Sequence, residues 1–297
     1  MEHPFTGLSV FPLTPTDSDL RIDEAALSRI LEAICASGAA SIGLLGSTGI
    51  YAYLPHDERR RAVEIAVSVV AGRLPLVVGI GAIRTDQAVE LARHAAEAGA
   101  DALLMAPVSY TPLREDEVAH HYAAVASATD LPLCLYNNPG TTHFAFTTDL
   151  LARIARHPRI AGVKMPLPKG PVSNDLPALR RALPRDFSIG YSADWGAGEA
   201  LLAGCDAFYS SVGGTIPEVM VRLARAAKRG DVDEVRRIDA ALAPLWKLCR
   251  EFGSLRVSYA LARLTDLTEA EPPLPLQTLD GEAFARTEMA LTAALAI

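Results

Sequence analysis

Ile160-Ala161-Gly162-Val163-Lys164-Met165-Pro166 is a short apolar run that carries a single cation, and its first five residues read as a buried strand, Ile160–Lys164. Seven further runs of the same type recur at similar spacing: Gly7–Phe11, Ser41–Leu45, Leu76–Gly79, Ala102–Met105, Leu133–Tyr136, Ser188–Tyr191 and Ala207–Ser210. Each is short and rich in apolar or β-branched residues, as a parallel strand covered on both faces requires. Longer amphipathic segments lie between them, among them Asp23–Ala36, Asp57–Val70, Asp86–Ala98, Glu115–Ala128 and Thr147–Arg156. Their apolar residues fall three and four apart, the spacing of one inward helical face.

Punctuation supports the alternation. Asp57-Glu58 and Glu115-Asp116-Glu117 put carboxylates in first turns, where the helix dipole favours them. Gly38 and Gly99 follow helix ends, where a left-handed residue closes the last turn. Eight strand–helix units in this length predict an α/β fold, a (β/α)8 TIM barrel. A doubly wound sheet would more often show five or six strands and a dinucleotide fingerprint. The chain beyond reads as helices only, including Asp231–Phe252 and Gly281–Ala296, interrupted by Glu271-Pro272-Pro273-Leu274-Pro275. The expected organisation is a catalytic barrel over residues 1–227 and a C-terminal helical extension over 228–297, packed on the barrel.

Composition narrows the partners. Of 297 residues half are apolar, enough for a large core, and 28 Lys and Arg against 35 Asp and Glu leave a formal charge of −7. The basic residues are scattered, which argues against nucleic acid or an anionic membrane as a partner. Cys35, Cys134, Cys205 and Cys249 form no C-x-x-C pair, so neither a disulfide framework nor a zinc site is expected. Met1-Glu2-His3-Pro4 has no basic region leading into an apolar stretch, and no apolar run reaches spanning length; a reduced, cytoplasmic protein is expected.

A barrel of this kind builds its site at the carboxyl ends of its strands. A lysine at the end of an apolar strand is costly unless neutral or partnered, and a desolvated neutral lysine attacks carbonyl carbon. Lys164 is therefore the candidate for a Schiff base with a keto acid, against the alternative that it snorkels to solvent. Gly46-Ser47-Thr48-Gly49 follows the second strand and can turn tightly enough to aim N–H groups and hydroxyls at a carboxylate, or can be an ordinary β-to-α turn. Tyr136 closes the fifth strand, one unit before Lys164, where its phenol can shuttle protons with a threonine hydroxyl or simply pack. His143, Ser192 and Asp194 lie on neighbouring loops, as ligands for hydroxyls of a polar substrate or as capping residues.

Gly46-Ser47-Thr48-Gly49, Tyr136-Asn137 followed by Pro139, and Gly162-Val163-Lys164 occur in order, each at its proper strand. In these motifs, and over nearly its whole length, the chain resembles the dihydrodipicolinate synthase and N-acetylneuraminate lyase family of pyruvate-type Schiff-base lyases and aldolases. The resemblance implies that Lys164 forms an imine with pyruvate or another 2-keto acid. Gly46, Ser47 and Thr48 then hold the carboxylate, and Tyr136 relays protons with help from Thr48. It adds Val212, with Thr141, His143, Ser192 and Asp194, to the substrate-binding set. It implies no metal or organic cofactor, and a tetramer built as a dimer of dimers.

Several positions depart from the synthase pattern. Thr141 stands where the lysine-pathway synthase has an arginine that clamps the aldehyde's carboxylate, and threonine cannot supply that bidentate charge. Ser109, with Tyr110 one place later, replaces the tyrosine that a neighbouring subunit inserts. Ile50 replaces a glutamate, and Met165-Pro166 a more polar stretch. These changes predict an intact imine-forming half and an altered pocket for the second substrate, which is then not aspartate semialdehyde. A genuine synthase acting on pyruvate and aspartate semialdehyde, a 2-keto-3-deoxy sugar acid aldolase or dehydratase, and a keto-acid-binding protein without turnover are the alternatives.

Two other chemistries fit poorly. A metal-dependent aldolase needs clustered histidines and carboxylates, yet His120 and His121 are neighbours on one helix and point apart. Val78-Gly79-Ile80-Gly81-Ala82-Ile83-Arg84 has Arg84 in place of the third glycine of a dinucleotide fingerprint.

Overall fold

The computed structural model describes residues 4–297. Met1, Glu2 and His3, whose sequence bears on export, lie outside them. Eight parallel strands close into a barrel in sequence order, β1 (Gly7–Val10), β2 (Ser41–Leu44), β3 (Leu76–Gly79), β4 (Ala102–Met105), β5 (Leu133–Tyr136), β6 (Ile160–Met165), β7 (Ser188–Ser192) and β8 (Ala207–Ser210), with β8 returning to β1. Each matches a sequence-predicted strand to within one residue.

The connecting helices are α1 (Glu24–Ser37), α2 (His56–Val70), α3 (Thr85–Ala98), α4 (Glu115–Ala126), the single turn α5 (Pro139–Thr142), α6 (Thr148–Ile154), α7 (Val172–Ala182), α8 (Ala197–Leu202) and α9 (Pro217–Lys228). Local chemistry sets their ends. The Asp23 carboxylate accepts from Ala26 N–H and the Thr147 hydroxyl from Leu150 N–H, each satisfying an orphan donor of a first turn. Gly38 and Gly99 close α1 and α3 at φ 87° and 104°, as their positions predict.

Strand alternation divides the apolar residues between two cores. One lies inside the barrel and contains Phe11, Val77, Leu104, Cys134, Tyr136 and Tyr209. The other, much larger, lies between the strands and the surrounding helices, with Leu27, Leu31, Ile42, Val63, Val78, Leu103 and Val163 among its members. The inner core fills the barrel from below, so chemistry is confined to its upper mouth.

The C-terminal segment is helical, as expected: α10 (Val232–Phe252), α11 (Ser254–Leu264) and α12 (Gly281–Leu295). The sequence reading names α10 and α12 within a residue or so but does not single out α11. Residue 228, the expected start of the extension, is the last residue of α9, so the 227/228 division falls inside that helix. α10 packs against α8, α9, α11 and α12, burying Val235, Leu242, Leu245 and Trp246. Among the described residues no helix is long and apolar enough to cross a membrane.

Candidate active site

The register of the barrel brings the two central candidates together. An irregularity near Leu133 and Cys134 shifts the β5–β6 pairing by one residue, so that Tyr136 lies directly beside Lys164. Asn137 N–H donates to the Lys164 carbonyl at 2.9 Å and continues the pairing past the strand end. Lys164 is only 5% exposed. Its Nζ lies 4.3 Å from the centre of the Tyr136 ring and does not snorkel to solvent.

The phenol of Tyr136 has two polar neighbours. Asn138 Nδ2 donates to its oxygen at 3.0 Å, and the Ser47 hydroxyl lies 3.3 Å away. Thr48, expected to assist Tyr136, makes no hydrogen bond to it among the described residues. Thr48 donates instead to the Ser211 hydroxyl at 2.9 Å, on the loop after β8. Consecutive residues of a tight turn project in different directions, so Ser47 serves β5 and Thr48 serves β8. The main-chain N–H groups of Ser47 and Thr48 donate to no backbone carbonyl among the described residues, which leaves them available to an anion. Gly49 fits the turn closely: a Cβ there would lie 3.0 Å from the Leu45 backbone. At Gly46 a Cβ would strike the Phe11 ring.

Asp194 behaves differently from its expected role. It is 1% exposed and turned inward, accepting from the Ser210 hydroxyl, from Ser211 N–H at 3.1 Å and from Val212 N–H at 3.3 Å. Burial raises its carboxyl above the usual range, while those donors and the charge of Lys164 pull it back. Its carboxylate thus organises the β8 loop. Ala193, just before it, is held at φ 80°, a strained conformation for alanine that turns the chain at this point. Val212 is fully buried, its N–H on Asp194 and its carbonyl accepting from Thr215 Oγ1 at 3.0 Å.

The remaining candidates stand further out. Ser192 donates to the Met165 carbonyl at 3.1 Å, tying the ends of β6 and β7. Thr141 and His143 are exposed around α5; the Thr141 hydroxyl donates to the Asn138 carbonyl at 3.3 Å, and His143 ends the turn at φ 55°. Neither hydrogen-bonds to Lys164 or Tyr136. His120 is exposed while His121 is buried, its Nδ1 2.9 Å from the Thr85 hydroxyl, and burial lowers its pKa. Among the described residues no group of three or more histidines, cysteines and carboxylates is placed to hold a metal ion.

Sequence reading missed several contributors. Asn138 and Ser211 are hydrogen-bond partners of Tyr136 and Thr48, and neither side chain has a distinctive spacing. Phe11 and Tyr209 flank Lys164 from inside the barrel; their signal is an aromatic at the end of β1 and in β8, in step with strand alternation. Tyr51 is buried with the Arg59 guanidinium 5.3 Å from its ring centre. Burial, and then the neighbouring Tyr136, push the Tyr51 phenol up. Cys134 is buried beside the Tyr209 hydroxyl, at 3.5 Å, and burial raises its thiol to about 12.

Comparison with known proteins identifies the family. The model of the dihydrodipicolinate synthetase family matches residues 4–294. The 4-hydroxy-tetrahydrodipicolinate synthase of Laribacter hongkongensis (strain HLHK9) is 34% identical over 290 residues, covering 97% of this chain and 98% of that protein. The crystal structure of a dihydrodipicolinate synthase from Agrobacterium tumefaciens str. C58 superposes with a TM-score of 0.96 at 51% identity, covering 98% of both chains. The chloride-inhibited dihydrodipicolinate synthase of Acinetobacter baumannii, solved in complex with pyruvate, gives a TM-score of 0.87 at 28% identity, covering 99% of this chain and all of that one.

Proposed function

The chain belongs to the dihydrodipicolinate synthetase family, and from that premise we propose that it is a Schiff-base-forming lyase acting on pyruvate or another 2-keto acid through Lys164. The observation that carries the reading is the buried amine of Lys164 beside a phenol held by Ser47 and Asn138. The keto acid's carboxylate sits on the free N–H groups of Ser47 and Thr48, which turns its ketone toward Nζ. As nitrogen attacks, Tyr136 passes its phenol proton to the ketone oxygen and takes one from the nitrogen, and it then gives that proton to the hydroxyl that leaves as water. The resulting iminium withdraws electrons from C3, whose proton leaves to give an enamine. That enamine adds to an electrophile, or arises when a carbon–carbon or carbon–oxygen bond breaks.

The second half of the reaction is assigned to a substrate other than aspartate semialdehyde. Thr141 is exposed and bonded to its own turn, so it offers no cation to a second carboxylate. The protein acts in the cytoplasm, as a tetramer built from two dimers. Tyr110, 93% exposed, belongs in a subunit contact.

The test is to incubate the protein with pyruvate, add borohydride, and locate a reduced adduct by mass spectrometry. An adduct on Lys164 is expected. Its absence with pyruvate and with a panel of 2-keto acids overturns the imine, and an adduct without turnover of any aldehyde or sugar acid favours a keto-acid-binding protein. Efficient turnover of pyruvate with aspartate semialdehyde overturns the assignment of the second substrate.

A further inference from the structure

Lys164 forms no ion pair with a carboxylate among the described residues; aromatic faces surround its nitrogen instead. Nζ lies 3.8 Å from the Phe11 ring centre, 4.3 Å from that of Tyr136 and 5.4 Å from that of Tyr209. Phe11 and Tyr209 meet edge to face, with centres 5.9 Å apart and planes at 79°. Asp194, whose carboxyl feels the Lys164 charge, is committed to Ser210, Ser211 and Val212.

The strands make room for these rings. A Cβ at Gly43 in β2, or at Gly46 just beyond it, would strike the Phe11 ring. A Cβ at Gly190 in β7 would lie 2.5 Å from Tyr209 Cε2. Three glycines on two strands and their exits thus form slots for two aromatics in the barrel interior, which pack against each other next to the amine.

We infer that the ring faces of Phe11 and Tyr209 stabilise the positive charge of the iminium formed on the lysine nitrogen, so that it stays protonated to higher pH. The inference rests on the imine-forming role of Lys164. The neutral amine adds to the ketone to give a carbinolamine, and protonation of its hydroxyl and loss of water leave a positively charged iminium on the same nitrogen. A ring face attracts the iminium cation. It does so without adding the net negative charge of a carboxylate, which would repel the incoming keto acid.

Phenylalanines carrying one, two or three ring fluorines, placed at position 11, weaken the negative ring face stepwise while keeping its shape. The enzyme is saturated with pyruvate and pulsed with cyanoborohydride, which reduces the iminium, and the rate of adduct formation on Lys164 is followed against pH. The alkaline limb of the profile is expected to move to lower pH with each fluorine, by about half to one and a half pH units in all. Superimposable profiles across the series overturn the inference and leave the rings as packing. No adduct in the parent enzyme at any pH overturns the imine itself, a separate result that borohydride trapping alone detects.

Discussion

At the scale of single residues, a buried amine does chemistry only if a neighbour can take its proton and give it back. Tyr136 is placed to do so, and Tyr136→Phe is expected to slow formation of the trappable pyruvate adduct by on the order of a hundredfold while keto acid still binds; an unchanged rate removes the phenol from the mechanism. Ser47 and Thr48 separate by the same measurement. Ser47→Ala removes a hydroxyl bonded to Tyr136 and is expected to slow adduct formation by a few-fold to about tenfold, the worth of one neutral hydrogen bond. Thr48→Ala loses a bond to Ser211 and is expected to raise the keto-acid KM with little change in the rate at saturation. Asp194 makes a prediction about pH. Burial raises its folded-state pKa, so its contribution to stability is complete below the ordinary carboxylate value and is lost as pH rises through the raised one. The Tm of the parent minus that of Asp194→Asn is therefore expected to fall as pH climbs from about 4; a constant difference removes the titration.

At the scale of elements, the strands set the site by their register and their exits. Arg59, buried on α2, donates to the carbonyls of Gly79 and Gly81 at 3.1 and 3.0 Å and so fixes the exit of β3 under Tyr51. Its burial lowers the guanidinium pKa to about 10, a sign of how little water reaches it. Arg59→Met leaves two buried carbonyls unpaired and is expected to destabilise the protein by about 2–4 kcal/mol, read as a drop in Tm. Strand positions were legible in sequence because continuous apolar runs bounded by polar helices have few other readings. The extra residue of β6 and of β7 was not, since Met165 and Ser192 continue those strands through pairing with neighbours remote in sequence. The end of α10 at Phe252 was legible, since Gly253 follows it at φ 84°, but the resumption as α11 was not.

At the scale of the whole molecule, one chain brings Lys164, Tyr136, Ser47 and Thr48 to the same barrel mouth. The exposed Tyr110 and Ile83 are instead surface that a monomer would leave wet. Sedimentation is expected to give four chain masses, and Tyr110→Asp is expected to shift the distribution to smaller species; a single-chain mass for the parent overturns the tetramer. The acidic balance of −7 gives the chain no long-range attraction to a polyanion.

The sequence by itself determined the eight-unit barrel, the helical tail, the family and the three motifs, because periodicity and strand-end position are local properties that no distant contact must supply. Only the tertiary structure decided who meets whom. The β5–β6 register put Tyr136 beside Lys164. The turn after β2 sent Ser47 to that phenol and Thr48 to Ser211, and closure of β8 onto β1 brought Phe11 and Tyr209 around one nitrogen. The fold also turned the loop carboxylate of Asp194 inward onto Ser210, Ser211 and Val212, partners that no local pattern names.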